Sequence, residues 1–192
     1  MKTYRYVIGI DEVGRGPIAG PVTVGAVCIP RMLGRGHFKG VRDSKKLTPK
    51  QRAWWFSRVR KMKKVRYATS SISSRVIDEK GIVYAIRRAL RHSVARLGVN
   101  PRTCLVLLDG GLTAPRRFAH QRTIVKGDEK ELAIALASIM AKVTRDRKMS
   151  ALGEKYSRYG FDAHKGYGTR RHYASLRVHG PCVLHRKSFL KI

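Results

Sequence analysis

The sequence predicts an α/β fold in which helices flank a mixed central β-sheet. Short apolar runs rich in β-branched residues dominate the N-terminal part and are typical of buried strands. Longer segments further along repeat their apolar residues every three to four positions, which is typical of helices packed on a sheet. Because strands come first and helices are intercalated later, the order favours a mixed sheet.

The first predicted strand begins at Tyr6 and ends at two adjacent carboxylates, Asp11 and Glu12. Residues 22–29 form the next apolar run and follow a Gly-Pro turn, so we expect them to pair with the first strand in antiparallel fashion. Three more strands are predicted, at residues 65–71, 103–108 and 123–126. The fourth repeats the layout of the first, because it ends at Asp109 and two glycines.

Helices are predicted after Thr48, a good N-cap that precedes Pro49, and over residues 74–97, 129–156 and 169–178. Gly98 is the expected C-cap of the second helix. In the first helix we expect the aromatic trio at residues 54–56 to pack on the sheet rather than stack on bases. The third helix is apolar nearly all round over 132–141, which indicates burial against the sheet.

Composition limits the possible classes of protein. The 192 residues fit one domain, 43% of them are hydrophobic, and no apolar run approaches the ~18–20 residues that span a membrane. The N-terminus lacks the apolar region of a signal peptide. The three cysteines lie far apart, which argues against a disulfide framework or a zinc site. We therefore expect a cytoplasmic protein without a membrane partner.

The charge is extreme for a globular enzyme. Lys and Arg number 42 against 12 Asp and Glu, which gives a formal net charge of +30. Such a charge predicts a polyanionic partner such as nucleic acid. Charge alone would equally suit a basic RNA-binding protein without catalytic activity.

The placement of the carboxylates favours a catalyst. Asp11 and Asp109 each end a predicted strand, so they are expected at one edge of the sheet, and Asp146 is the next position on the buried stripe of the long helix. Asp146 could instead form an ordinary ion pair with Lys142, four residues earlier. A cluster of carboxylates requires counter-charge, and oxygen ligands suit Mg²⁺ or Mn²⁺. Two such ions would support phosphodiester hydrolysis, so the pattern predicts a metal-dependent nuclease.

Ordered motifs along the chain resemble those of the ribonuclease HII family: GIDEVGRGPIAGPV, DSKKLT, LLDG, VKGD, ASIMAKVTRD, HKGYGT and HRKSF. The resemblance implies a ribonuclease-H-like fold and a two-metal endonuclease that cuts the RNA strand of RNA/DNA hybrids and single ribonucleotides embedded in duplex DNA. It implies roles in ribonucleotide excision repair and DNA replication. Its catalytic and metal-binding quartet is Asp11, Glu12, Asp109 and Asp146. The AKVTRD motif selects Asp146 over Asp128, which we interpret as structural or supporting.

The same resemblance assigns substrate recognition to the turn Gly14-Arg15-Gly16, which would lie against a ribose 2′-OH, and to Tyr167, which would pack on the next sugar. Glycine allows close backbone approach, and the 2′-OH distinguishes RNA from DNA. Further residues of the family motifs are candidates either for contacting phosphates or for stabilising the fold, and the sequence does not separate these two roles. They are Lys45, Lys46, Lys165, His185, Arg186 and Ser188.

We expect one domain over residues 1–192, with 157–192 a C-terminal substrate-binding segment that is helical and loop-rich, and a monomer. The DEVGRG motif argues against the ribonuclease HIII branch, and the high charge is a departure from most relatives. A type 1 ribonuclease H remains an alternative within the same superfold.

Overall fold

The computed structural model describes residues 4–41 and 44–190 and contains a five-stranded sheet in the order β3-β2-β1-β4-β5. β1 pairs antiparallel with β2 and parallel with β4, while β2–β3 is antiparallel and β4–β5 is parallel. The mixed sheet predicted from the sequence is therefore confirmed. The strands are β1 (Tyr6–Val13), β2 (Val22–Pro30), β3 (Arg66–Ile72), β4 (Cys104–Asp109) and β5 (Gln121–Ile124).

Seven helices lie in the described part of the chain: α1 (Pro49–Lys61), α2 (Ser74–Lys80), α3 (Ile82–Arg96), α4 (Gly127–Lys130), α5 (Leu132–Lys155), α6 (Phe161–His164) and α7 (Arg170–His179). Two expected continuous helices are each broken. Gly81 separates α2 from α3 because it adopts φ 81°, outside the helical region. Glu131 is extended (φ −119°, ψ 119°) and separates α4 from α5. The prediction of helix type was right, and the prediction of unbroken helices was wrong.

The helices cover both faces of the sheet. On one face Ile10 and Leu90 belong to a core cluster that joins the sheet to α3. On the other face Trp55 and Leu136 belong to a second cluster that joins it to α1 and α5. Of the aromatic trio, Trp55 and Phe56 are buried in that second cluster, which confirms sheet packing for these two, whereas Trp54 is exposed. The apolar side chains thus fix two layers of helix around the strands that carry the acids.

The helix α5 lies directly on β1 and β2. A Cβ atom on Gly9 would collide with the backbone of Ala133, and one on Gly25 would collide with Ala137. Glycine is needed at both strand positions because the helix backbone occupies the space of a side chain. This close approach carries the second half of α5 to the turn that follows β1.

The C-terminal segment packs on that same turn. Ala19 forms a bridge to His185, Gly20 N–H donates to the carbonyl of Leu184 at 2.8 Å, and Arg186 N–H donates to Ile18 at 2.8 Å. A third apolar cluster, which includes Met149 and Phe161, lies beneath these contacts. The three cysteines are free thiols, and no helix of the described residues is long and apolar enough to cross a membrane.

Candidate active site

Two neighbouring parallel strands place carboxylates at one edge of the sheet. Ile10 of β1 lies opposite Leu108 of β4, so Asp11 and Asp109 follow at equivalent positions. Asp11 is also electrostatically coupled to Glu12, Asp109 and Asp128. The structure therefore brings the first three predicted acids together and adds Asp128; we call this group the acid edge.

Asp11 is the most enclosed of the predicted catalytic acids. Only 5% of its surface is exposed, and its Oδ1 accepts the Glu12 backbone N–H at 2.7 Å. Burial raises the pKa of the Asp11 carboxyl to about 7; a hydrogen bond with Ser138 opposes this, while the neighbouring carboxylates add to it. A buried carboxyl with a raised pKa among like charges is the environment that a cation would stabilise.

Glu12 and Asp109 are held by different partners. Burial is the main cause that raises the pKa of Glu12, and the Arg15 guanidinium, 3.4 Å from Oε1, opposes it. Asp109 Oδ1 accepts the backbone N–H of Gly127 at 2.7 Å, which ties β4 to the start of α4. One oxygen of Asp109 is thereby oriented by the backbone before any ligand binds.

Asp128 and Glu129 connect the acid edge to two of the predicted phosphate-contacting lysines. Lys45 Nζ lies 3.4 Å from Asp128, which is buried, and Lys46 Nζ lies 2.9 Å from Glu129. Both lysine side chains remain largely exposed. The structure thus gives both lysines a scaffold contact while leaving their side chains accessible to a substrate.

Asp146 lies on α5 and forms an ion pair with a lysine of the same helix. Its carboxylate accepts from Lys142 Nζ at 2.9 Å, which is the ordinary ion pair that the spacing allowed. It faces a cleft that Arg52 and Lys165 also line. Among residues 4–41 and 44–190, no three His, Cys, Asp or Glu side chains form a ready set of metal ligands. Lys142 engages one oxygen of the Asp146 carboxylate, Oδ1.

The donor chemistry nevertheless fits a hard cation. The acid edge offers carboxylate oxygens and no thiol or imidazole, which is the ligand type that suits Mg²⁺ and Mn²⁺. The pKa of Asp11 is raised chiefly by burial and further by the neighbouring carboxylates, and a bound cation would oppose both effects.

Two buried arginines hold the turn at Gly14, Arg15 and Gly16. Arg186 is fully buried and donates to the carbonyl oxygens of Gly14 at 2.7 Å and Arg15 at 2.9 Å. Gly14 has φ 92°, and a Cβ atom there would collide with the side chain of Arg145. Nothing would meet a Cβ at Gly16, so that side of the turn is open to an approaching group.

The buried position of Arg186 corrects its placement among the substrate-binding residues. Its guanidinium is enclosed, donates to backbone carbonyls, including that of Gly20 at 3.0 Å, and has a pKa lowered to about 9, chiefly by burial. A side chain with no exposed surface is not available to a phosphate. Of the two roles left open by the sequence, the structure gives Arg186 the scaffold role.

Tyr167 is 42% exposed beside the same turn, and its ring lies 5.8 Å from the guanidinium carbon of Arg145. Lys165 is half-buried, adopts a left-handed backbone (φ 53°), and donates to Ser150 Oγ at 2.6 Å and to the carbonyl of Asp162. The structure therefore holds the Lys165 ammonium within the protein and presents the Tyr167 ring to solvent.

A chain of neutral histidines supports the Tyr167 loop. Cys182 N–H donates to His185 Nδ1 at 2.9 Å, the two Nε2 atoms of His185 and His172 are 3.0 Å apart, and His172 Nδ1 lies 2.9 Å from the carbonyl of Tyr167. Since the carbonyl only accepts, His172 Nδ1 carries hydrogen and His185 Nε2 must donate to His172. Burial lowers the pKa of His172 to about 4 and also lowers that of His185.

Sequence reasoning missed Ser138, Arg145 and the His172–His185 pair. A signal existed for Arg145, because Ser138, Ala141, Arg145 and Met149 follow one another at helical spacing and all four are buried. For the histidines, the HRKSF motif singled out His185, but nothing in the sequence indicated its pairing with His172, which depends on how α7 packs against the last loop.

The geometry described above can be compared with known proteins. The family model for ribonuclease HII matches residues 8–192. The chain belongs to the ribonuclease HII family. A ribonuclease HII from Caldicellulosiruptor bescii is 45% identical over 98% of this chain and 88% of its own length. Membership confirms the resemblance and excludes the type 1 alternative and the non-catalytic RNA-binding protein. The chain is an endonuclease of the ribonuclease H type 2 class, with nucleic acid as its substrate.

Solved structures of the family confirm the ribonuclease-H-like fold. Ribonuclease HII in a complex with PCNA from Archaeoglobus fulgidus matches with a TM-score of 0.75 and 26% identity over 97% of this chain and 96% of that one. Ribonuclease H2 from Pyrococcus horikoshii matches with a TM-score of 0.74 and 27% identity, over 95% of this chain and 93% of that one.

Proposed function

We propose that this ribonuclease HII family member hydrolyses the RNA strand of RNA/DNA hybrids and cuts on the 5′ side of a single ribonucleotide embedded in duplex DNA. The products would be a 3′-hydroxyl and a 5′-phosphate. The observation that carries the proposal is the meeting of Asp11, Glu12 and Asp109 at one sheet edge, immediately before a turn whose Gly16 side is open.

The catalytic proposal assigns two divalent cations, Mg²⁺ or Mn²⁺, to Asp11, Glu12, Asp109 and Asp146. When bound, such ions supply an activated water and stabilise the leaving oxygen. Asp109 keeps one oxygen fixed by Gly127, and Ser138 orients Asp11. Asp146 would contribute the fourth carboxylate, from helix α5.

We assign selectivity for RNA over DNA to the contact between the open turn and one sugar of the substrate. Gly14, Arg15 and Gly16 would inspect the 2′-OH, with the turn held from beneath by Arg186. Tyr167 would pack on the following sugar. Lys45, Lys46 and Lys165 would contact phosphates in addition to the contacts that they make within the protein. Residues 157–192 form the substrate-binding segment in this assignment, within a single domain over 1–192.

The protein is further proposed to act as a monomer in the cytoplasm, in ribonucleotide excision repair and DNA replication. Size-exclusion chromatography with light scattering would test the monomer, and a dimer at micromolar concentration would contradict it.

End mapping on a labelled duplex with one ribonucleotide tests the reaction directly. We expect cutting only with Mg²⁺ or Mn²⁺, on the 5′ side of the ribonucleotide, and no cutting of an all-DNA duplex of the same sequence. A 2′,3′-cyclic phosphate end would contradict the mechanism, because it would make the 2′-OH the nucleophile. A cut on the 3′ side would contradict the proposed position of the cut relative to the ribonucleotide.

A further inference from the structure

A second region of the molecule faces the turn that carries Arg15. A cleft of about 140 Å³ separates this turn and the loop after β4 from the first half of α3, with Arg15, Val83, Arg87, Leu112 and Thr113 in its lining. The cleft has an apolar floor and an arginine on each side. It begins at the turn that follows Glu12 and therefore continues from the acid edge.

The exposed side of α3 continues away from this cleft as an unbroken positive surface. Arg87, Arg88 and Arg91 are all exposed, and we call these three residues the α3 face. The helix contains no Asp or Glu, and none of the ion pairs found within residues 4–41 and 44–190 involves it. The nearest acids in sequence are engaged elsewhere, Asp78 with Ser188 and Glu79 with Arg75.

The arrangement is unfavourable for the isolated protein. Arg87 and Arg91 are four residues apart and Arg88 and Arg91 are three apart, so like charges are neighbours on one helix surface. Such like-charge pairs destabilise a helix. A polyanion that spans the helix would turn this repulsion into attraction, because each neutralised phosphate releases counterions.

The direction of α3 relates this surface to the substrate. β3 ends at Ile72, opposite Val22 and hence at the edge of the sheet that carries Asp11. α2 and α3 follow, and α3 runs back towards the start of β4 at the opposite edge. The α3 face therefore begins beside the active site and leads away from it across one side of the molecule.

We infer that the α3 face, together with the cleft at Arg15, binds the phosphate backbone of the substrate duplex beyond the nucleotides at the active site. This inference rests on the proposed function for the identity of the duplex. It gives part of the +30 charge a defined use, as an extension of the substrate track.

A salt titration with matched variants tests the inference. The test variant is Arg87→Gln/Arg91→Gln, and the control is Lys63→Gln/Lys64→Gln, which removes the same charge from two exposed residues of the turn before β3. That turn lies at the sheet edge opposite Asp11, since Arg66 pairs with Cys28 and Cys28 with Ile8. Gln is a good helix former, so the test variant keeps α3 stable.

Fluorescence anisotropy would measure binding to a 24-base-pair duplex with one ribonucleotide, in chelator and in an Asp11→Asn background that prevents cleavage. The test variant should show a log K against log salt slope that is shallower by about two, and an affinity at least about tenfold lower at 0.1 M salt. The control should keep the wild-type slope. Equal slopes for test and control variants would overturn the inference.

A second measurement remains informative if the Gln variant misfolds. Arg88→Gln alone should make the slope shallower by about one. The affinity of the wild-type protein should also fall when the duplex is shortened to 10 base pairs. The affinity of the test variant should fall by a smaller factor on the same truncation. If truncation affects both proteins equally, the α3 face does not contact the flanking duplex. Failure of the proposed function is distinguishable, because it would appear as absent cleavage by the unmodified protein.

Discussion

The acid edge and the buried pair Arg145 and Arg186 are two charged regions in which the protein interacts with the buried charge in opposite ways. At the acid edge Asp11 lies among other carboxylates, and its pKa is raised to about 7. Arg145 and Arg186 are fully buried as well, yet they donate to backbone carbonyls of the segment that follows the acids. The acids repel one another, whereas the arginines hold a loop in place.

The difference shows which region is built for a ligand. Carbonyl oxygens satisfy most donors of the two arginines; among the described residues only Nη1 of Arg145 is a buried side-chain polar atom without a partner. Their charge serves the fold through hydrogen bonds that a neutral side chain would not make. Within the acid edge Glu12 pairs with Arg15 and Asp128 with Lys45, yet burial still raises the pKa of Asp11 to about 7, so a bound cation would stabilise the charged form of Asp11. Substitutions in the two regions should therefore change activity and stability in opposite ways.

The largest expected effect is on cleavage. Asp11→Asn should lower the rate about a thousandfold or more, because it removes a ligand of the proposed metal site. It should also raise the midpoint of thermal unfolding in chelator, because it removes a carboxylate whose charged form is disfavoured chiefly by burial and further by the neighbouring carboxylates. Single-turnover cleavage and calorimetry would measure the two effects. Asp146→Asn should likewise abolish cleavage, and near-wild-type turnover would remove Asp146 from the site.

The converse substitution is Arg186→Met, which should destabilise the protein by about 3 kcal/mol. The change leaves the carbonyls of Gly14, Arg15 and Gly20 without their donor in a buried place. Urea unfolding would measure it, with Lys148→Met, an exposed residue of α5, as the control. Equal midpoints for the two variants would show that the arginine does not stabilise the turn.

The His172–His185 pair provides a further test of the comparison, through the pH dependence of the free energy of unfolding. The pKa of His172 in the folded protein is about 4, below the usual 6.5, so the unfolded chain binds a proton that the folded chain excludes. Its contribution to stability is full above pH 6.5 and is lost as pH falls towards 4. The loss should be about 3 kcal/mol. His172→Gln should flatten the profile of unfolding free energy over pH 4–6.5, and His92→Gln, at an exposed position, should not.

The smallest expected effect is at Tyr167. Tyr167→Ala should lower the rate of cutting at a single ribonucleotide about tenfold, since the ring positions the sugar beside the scissile bond. Because the ring is 42% exposed, stability should change by less than about 0.5 kcal/mol. Single-turnover rates and duplex affinity, measured together, would separate positioning from binding. A variant that loses affinity but keeps its rate would contradict a positioning role.

The sequence alone predicted the mixed sheet and the acids at strand ends. Period-two and apolar runs locate the strands, and parallel strands that both end in Asp must place those residues at one edge. It also predicted that the aromatic trio at residues 54–56 packs on the sheet, which is right for Trp55 and Phe56 and wrong for the exposed Trp54. These predictions rest on local patterns, which can be recognised in the sequence without knowing the tertiary contacts of each residue.

Only the tertiary structure decided the hydrogen-bond partners of Asp146, Arg186 and His172. Each depends on a residue distant in the sequence or on a choice among several possible partners. Asp146 pairs with Lys142, Arg186 donates to carbonyls that lie more than 160 positions earlier, and His172 pairs with His185. A basic side chain in a motif suits a phosphate or a carbonyl equally, since both only accept hydrogen bonds. The burial of the side chain distinguishes a contact with a carbonyl from a contact with a phosphate. That burial depends on how the chain packs in the tertiary structure.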